Sequence, residues 1–148
     1  MRVAFAADHA GVELKDELLA ALANSGHELI DLGGDGSDPH DDYPDFARVL
    51  ARYVADGKAE RGILVCGSGV GASVAANKVR GIRAAYCTDT YSARHARGHN
   101  DANMLTLGER VTGPGLMREL VEAFLSSSFE GGRHARRVDK IIALDEER

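Results

Sequence analysis

A single thiol beside a glycine-rich segment is the feature of this sequence that points most directly to chemistry. Cys66 ends an apolar run and is followed by Gly-Ser-Gly-Val-Gly, residues 67–71, which opens a helical segment. Glycines allow backbone N–H groups to approach an anion, and a helix N-terminus adds partial positive charge. The same surroundings favour a thiolate over a thiol, and Ser68 adds a hydroxyl donor. We therefore interpret Cys66 as a nucleophile or general base beside an anion-binding loop, and Cys87 as a small buried hydrophobe.

Two pairs of polar residues are further candidates for this site. Asp8 and His9 directly follow the first predicted strand, and His99 and Asn100 occur farther along the chain. We expect both pairs to lie with the Cys66 loop at the carboxyl ends of parallel strands, the rim where open α/β sheets bind ligands. Asp8 also has a structural interpretation, as the cap of the first helix.

A basic segment near the end of the chain is a candidate phosphate site. Arg133 and Arg137 are four residues apart and therefore share one helical face. Two guanidinium groups in that position could hold a phosphate bidentately, although such a segment can also be a solvated helix face. The acidic segment 35–42 lacks the spacing of a calcium loop, and we interpret it as a structured surface loop.

The elements that must position these residues alternate between strand and helix. The patterns predict strands at 1–7, 27–32, 63–66, 82–87 and 104–107, separated by helices at 12–25, 43–55, 72–79 and 91–97 and followed by a helix at 114–124. This alternation predicts an α/β fold in which a five-stranded parallel sheet carries helices on both faces, within one domain spanning 1–148. A last amphipathic helix, 134–144, follows Gly131-Gly132, and we expect it to pack on a partner subunit.

Composition narrows the functional classes. The 148 residues carry a net charge of −5, which argues against a general nucleic-acid or anionic-membrane partner, because both need a dominant basic surface. No apolar stretch approaches the ~20 residues of a membrane span, and the first residues lack a signal peptide's cleavage pattern. We expect a cytoplasmic protein with two free thiols.

Two other classes of protein share parts of the Cys66 pattern. Residues 67–72 match the dinucleotide motif G-x-G-x-x-A, with Asp89 about twenty residues later. The motif follows the third strand rather than the first, and no second domain remains for a substrate, yet a nucleotide-binding module stays open. A cysteine phosphatase would normally place an arginine six residues after the cysteine, where this chain has Ala72.

Several motifs occur along almost the whole chain in the same order as in one known family. The chain resembles ribose-5-phosphate isomerase type B, a family that also contains galactose-6-phosphate and allose-6-phosphate isomerases, in residues 7–11, 42–44, 66–71, 75–78, 81–84, 99–103 and 129–134. The resemblance implies a three-layer Rossmann-like fold, a homodimer, and no metal or nucleotide cofactor; a dimer of dimers stays open. It implies interconversion of ribose 5-phosphate and ribulose 5-phosphate, with a hexose 6-phosphate as the alternative substrate.

The resemblance also implies roles for individual residues. Family members carry either a cysteine here or a glutamate six residues later, so Cys66 with Ala72 places this chain in the thiol type. Cys66 then removes the proton next to the carbonyl, His99 opens the sugar ring, and Asp8 and His9 assist. The enediolate oxygens are held by Gly67, Ser68, Gly69, Val70 and Gly71. The sugar and its phosphate are bound by Tyr43, Asn100, Arg110, Arg133, His134 and Arg137, with Arg133 and Arg137 from the neighbouring subunit.

Overall fold

The computed structural model describes residues 1–147 and contains a five-stranded, all-parallel sheet with the order β2-β1-β3-β5-β4. The strands are β1 Arg2–Ala7, β2 Glu28–Asp31, β3 Arg61–Cys66, β4 Ala84–Tyr86 and β5 Met104–Gly108. The helices are α1 Val12–Leu22, α2 Tyr43–Ala55, α3 Val70–Ala76, α4 Thr90–Gly98, α5 Pro114–Ser126 and α6 Arg133–Ala143, and a 3₁₀ turn follows at Leu144–Glu147. The predicted α/β class and parallel sheet are confirmed.

Successive residues of the central strands supply two separate hydrophobic cores, one on each face of the sheet. Phe5 and Val65 pack among α1, α4 and α5, whereas Ala6, Leu64 and Cys66 pack among α2 and α3. This follows from the two-residue period of a strand, since neighbouring side chains point to opposite faces. Strands that are apolar on both faces form the centre of a parallel sheet because helices cover both faces. Cys66 therefore ends β3 on the α2 and α3 side.

Strand β4 is shorter than the prediction of 82–87. The Ile82 N–H donates to the Val79 carbonyl, and the Arg83 N–H donates to Asn103 Oδ1, so neither enters the ladder with β5. Side-chain and turn hydrogen bonds here replace strand pairing. The result is a three-residue edge strand whose residues are only half buried.

Only part of the apolar side of helix α6 packs against the rest of its own chain. Val138 is buried, whereas Ile141, Ile142 and Leu144 remain 41%, 43% and 54% exposed. These three residues and Ile82 line an open groove of about 340 Å³ beside the short strand β4. Packing of this helix on a partner subunit thus remains a prediction. Among residues 1–147, no helix combines the length and the apolar character needed to cross a membrane.

Candidate active site

A cleft of about 300 Å³ opens at the carboxyl ends of β1, β3 and β5, and we refer to it as the Cys66 cleft. Its lining contains Asp8, His9, Ala10, Tyr43, Cys66, Gly67, Ser68, Gly71, Arg110 and Val111. Strand order explains why these segments meet, because β3 lies between β1 and β5 and all three run in the same direction. Eight of the residues singled out from the sequence therefore line one cleft: Asp8, His9, Tyr43, Cys66, Gly67, Ser68, Gly71 and Arg110.

Cys66 lies at the base of this cleft with its sulfur in contact with the following loop. The residue is 3% exposed, and its Sγ accepts a hydrogen bond of 3.1 Å from the Gly69 N–H. Gly69 has φ +81°, and a Cβ there would stand 2.6 Å from the Tyr86 ring, so only glycine fits this turn. The sulfur therefore lies in the cleft beside a backbone N–H donor.

Cys87 occupies a different environment, although it also follows a strand. It is 3% exposed and belongs to the core formed by α1, α4 and α5. Burial raises the pKa of its thiol to about 11, and the negative charge of Asp89 acts in the same direction. Cys87 is therefore a neutral thiol at physiological pH, in agreement with its interpretation as a buried hydrophobe.

Asp8 and His9 line the cleft through different contacts. Asp8 Oδ1 accepts hydrogen bonds from the Ala10 and Gly11 N–H groups at 3.1 and 3.2 Å, so it also organises the start of α1. Burial raises the pKa of Asp8 above its usual value. His9 is held by Asp41, whose Oδ1 lies 2.6 Å from His9 Nδ1 and also accepts the His9 backbone N–H at 2.9 Å. This hydrogen bond raises the pKa of His9.

Asp41 is a member of the cleft's surroundings that sequence reasoning missed. The segment 35–42 is a surface loop as predicted, and two of its carboxylates accept backbone N–H groups within the loop, Asp35 from Ser37 and Asp38 from His40. Asp41 instead reaches back over 32 residues to His9. The sequence carried no local signal for this contact beyond the position of Asp41 two residues before Tyr43.

Arg110 and Tyr43 complete the walls of the cleft. The Arg110 N–H donates to the Gly67 carbonyl at 3.0 Å, and its guanidinium lies 3.6 Å from where a Cβ on Gly67 would stand. Gly71 allows Tyr43 to approach the start of α3, since a Cβ there would meet the Tyr43 ring at 2.5 Å. The side chain of Arg110 is exposed and can place positive charge at the cleft mouth. An anionic ligand is the species that this arrangement favours.

The remaining candidates form a second group on α4 and α6. His99 caps the end of α4 and stacks on His134, with ring centroids 3.9 Å apart and planes inclined by 7°. Glu130 lies beside both rings, with Oε2 3.5 Å from His99 Nε2 and 3.8 Å from His134 Nε2. We call His99, Glu130 and His134 the histidine cluster. Burial, followed by the neighbouring His99, lowers the pKa of His134.

The expectation that His99 and Asn100 share a rim with Cys66 is wrong. They follow helix α4 and lead into the first residue of β5, Met104, which pairs with Gly62 near the start of β3. A helix that connects parallel strands returns the chain to their amino ends, so its last residues lie at the opposite edge of the sheet. Within the described residues, the lining of the Cys66 cleft includes none of the following: His99, Asn100, Arg133, His134 and Arg137.

The nucleotide interpretation loses one of its supporting residues. Asp89, the candidate partner of a ribose hydroxyl, is the N-cap of α4 and accepts hydrogen bonds from the Ser92 N–H and hydroxyl at 2.7 and 2.8 Å. Its carboxylate therefore has a structural role at a helix start.

Comparison with known proteins identifies the family. The family model described as Ribose/Galactose Isomerase matches residues 3–141. Ribose-5-phosphate isomerase B of Escherichia coli is 47% identical, and the match covers 99% of this chain and 98% of the relative. D-erythrulose-4-phosphate isomerase of Pectobacterium atrosepticum is 45% identical, and the match covers 95% of this chain and 93% of the relative. The structure of Mycoplasma genitalium ribose-5-phosphate isomerase B with bound ribulose-5-phosphate superposes with a TM-score of 0.94 at 41% identity. The match covers 99% of this chain and 97% of that chain. The chain therefore belongs to the ribose/galactose isomerase family and is a sugar-phosphate aldose–ketose isomerase.

Proposed function

We propose that this protein interconverts ribose 5-phosphate and ribulose 5-phosphate through a cis-enediolate, with Cys66 as the base. The observation that carries the proposal is the Cys66 sulfur, which accepts the Gly69 N–H inside a cleft that also holds Ser68 and Arg110. The names of the Escherichia coli and Mycoplasma genitalium relatives support the pentose, and the latter structure holds ribulose 5-phosphate.

The reaction needs a base, donors for a developing oxyanion and a return path for one proton. The Cys66 thiolate takes the proton from C2 of the open-chain aldose, and the electrons of that C–H bond form the C1–C2 double bond of the enediolate. The proton of the C2 hydroxyl passes to O1, and return of the other proton from the Cys66 thiol to C1 then gives the ketose, with its carbonyl at C2, and restores the thiolate. In the first turn of α3 the Val70 N–H donates to Ser68 Oγ at 3.3 Å. The Gly71 and Ala72 N–H groups have no acceptor within the helix and are available to the enediolate oxygens together with the Ser68 hydroxyl. Each such donor can lower the barrier by about 3 kcal/mol.

Ring opening and phosphate binding require the second group of residues. We assign ring opening to His99 assisted by Asp8 and His9, sugar binding to Asn100, and phosphate binding to Arg110, Arg133 and Arg137. Tyr43 and His134 line the pocket. These roles rest on the resemblance to the family and on the exposed cationic side chains of α6.

The distance between the two edges of the sheet supports a site shared by two chains. Strand β5 has five residues, so four steps of about 3.3 Å separate its first and last Cα atoms by roughly 13 Å. A side chain does not reach across that length, so His99 cannot act on a sugar held at Cys66 of its own chain. A homodimer in which α6 and the end of α4 face the partner's cleft brings the two groups together.

Sugar phosphates of different length are candidate substrates. Relatives of similar identity are named for a pentose and for a tetrulose phosphate, and the family description includes galactose. Allose 6-phosphate and galactose 6-phosphate are therefore the alternative substrates. They differ from the pentose by one hydroxymethylene unit, and a contact of this size is worth only about 1–3 kcal/mol in discrimination.

A comparative assay tests the proposal. Purified protein is given ribose 5-phosphate, allose 6-phosphate, galactose 6-phosphate and D-erythrulose 4-phosphate, and kcat/KM is measured for each. In heavy water we expect deuterium at C1 of the ketose and, after reversal, at C2 of the aldose, because a thiol exchanges its proton with solvent. The highest kcat/KM on a different sugar would correct the substrate, and absence of exchange with every sugar would refute the isomerase mechanism.

A further inference from the structure

The histidine cluster places three potential metal ligands within reach of one ion. One ligand atom from each of His99, Glu130 and His134 lies within 4.8 Å of the other two. Both Nε2 atoms lie near the same carboxylate oxygen, at 3.5 and 3.8 Å. These separations leave a point roughly 2.0–2.4 Å from all three atoms, close to the 2.0–2.2 Å of zinc–nitrogen and zinc–oxygen bonds. The spacing is therefore compatible with a cation of the zinc class.

Backbone contacts hold the cluster together. The Glu130 N–H donates to the Gly98 carbonyl at 3.0 Å, which fixes the linker before α6 on the last turn of α4. A Cβ on Gly98 would stand 3.0 Å from Glu130 Oε1, so the carboxylate lies directly over that glycine. The His134 N–H donates to the Gly131 carbonyl at 3.0 Å and starts α6 at the same place. The three ligands thus come from segments whose backbones are tied to one another.

The chemistry of the ligands selects the type of ion. Two imidazoles and one carboxylate form a common zinc ligand set with room for a water or another ligand in a fourth position, whereas magnesium and calcium prefer oxygen ligands. The two rings are parallel to within 7°, so their Nε2 lone pairs do not converge as the rings stand, and binding of the ion requires rotation of one ring, for which the partly exposed His99 has room. Arg133 and Arg137 are exposed cations on the same helix and oppose the ion, although solvent screens such charges.

We propose that His99, Glu130 and His134 form a binding site for a zinc-class divalent cation, and that its occupation inhibits the isomerase. The ion takes no part in the reaction. It inhibits because a lone pair of His99 bound to the metal is not available to carry a proton to the ring oxygen of the sugar. Binding of the ion is independent of the proposed function, whereas the inhibition rests on it.

A direct titration tests the binding step. Untagged protein competes for Zn²⁺ with a chromophoric chelator, and we expect one ion per chain. Glu130→Gln should weaken binding by at least about tenfold, because it removes one of three ligands. The matched control is Glu119→Gln, which removes an exposed carboxylate from α5 without touching the cluster. Equal affinity of the two variants would overturn the site.

A second measurement distinguishes Zn²⁺ binding at the histidine cluster from Zn²⁺ binding by the Cys66 thiolate, the other strong ligand in the chain's described residues. We expect Zn²⁺ to inhibit the wild type and Glu119→Gln at the same concentration, and Glu130→Gln only at a concentration at least about tenfold higher. Cobalt(II) at the site should show the visible bands of a tetrahedral nitrogen and oxygen set without a sulfur-to-cobalt band. The proposal would be refuted if Glu130→Gln were inhibited at the same Zn²⁺ concentration as the wild type. It would also be refuted by a sulfur-to-cobalt band that disappears in Cys66→Ala. Inactivity on every sugar would remove the proposed function but leave the titration interpretable.

Discussion

The Cys66 cleft and the histidine cluster lie at opposite edges of one sheet and are built in different ways. The cleft is formed by strand ends whose loops share backbone hydrogen bonds, such as Glu109 N–H to the Cys66 carbonyl at 2.8 Å. The cluster is formed by a helix end, a linker and the first turn of α6, and its outer side carries exposed arginines. In the proposed function the first region supplies the base and the anion donors, and the second supplies the acid and the cations. The proposal therefore treats one chain as holding two incomplete halves of a site.

The largest effect should follow removal of the base in the Cys66 cleft. Cys66→Ala should lower kcat by at least about 10³-fold, because it removes the group proposed to take the proton, while substrate affinity changes little. The matched control is Cys87→Ala, which deletes an equally buried thiol outside the cleft. Steady-state kinetics with ribose 5-phosphate measure both. Near-normal turnover by Cys66→Ala would show that the base is another residue.

Mixing two inactive variants tests whether the halves come from different chains. A heterodimer of Cys66→Ala and His99→Asn contains one site in which both residues are intact. Random exchange of subunits makes about half of the dimers mixed, so total activity should recover to about a quarter of the wild-type value. The control pairs two variants of the same half, Cys66→Ala and Arg110→Ala, and should gain no activity over the mean of its two parents, because neither cleft of that heterodimer is intact. Absence of recovery in the first mixture would contradict the shared site.

A smaller effect should follow loss of one cation from α6. Arg137→Ala should raise KM for ribose 5-phosphate by about 10- to 100-fold with little change in kcat, because charged hydrogen bonds to phosphate are worth about 1.5–3 kcal/mol each. Arg136→Ala removes a neighbouring exposed cation from another face of the same helix and serves as the control. If both variants bind substrate equally well, Arg137 is not a phosphate ligand.

The smallest effect concerns the pKa of His9 in the cleft, which Asp41 raises. Asp41→Asn should lower the pKa of His9 toward its ordinary 6.5, because the hydrogen bond to a carboxylate is the largest cause that raises it. The folded-state pKa lies above the unfolded value, so the stability that this pair contributes is complete below about pH 6.5 and is lost as pH rises through the folded pKa. NMR titration of the His9 ring measures the shift, with Asp42→Asn as the control. An unchanged titration would show that Asp41 does not act on the ring.

The sequence by itself determined the structural features that depend only on residues close together along the chain. The alternation of strands and helices, the position of Cys66 at a strand end and the glycine turn after it are properties of a few consecutive positions, and the structure agrees with them. The contrast between Cys66 and Cys87 was also predictable, because only the first is followed by glycines that bring an N–H to the sulfur.

Only the tertiary structure decided which distant segments meet. The placement of β5 between β3 and β4, the return of α4 to the amino edge, and the contacts of Asp41 with His9 and of Glu130 with His99 each join residues that no local pattern connects. Such contacts depend on the order and direction of strands, which side-chain periodicity does not encode. For this reason the sequence showed which residues could do the chemistry, and the folded chain showed that they are divided between two edges of the sheet.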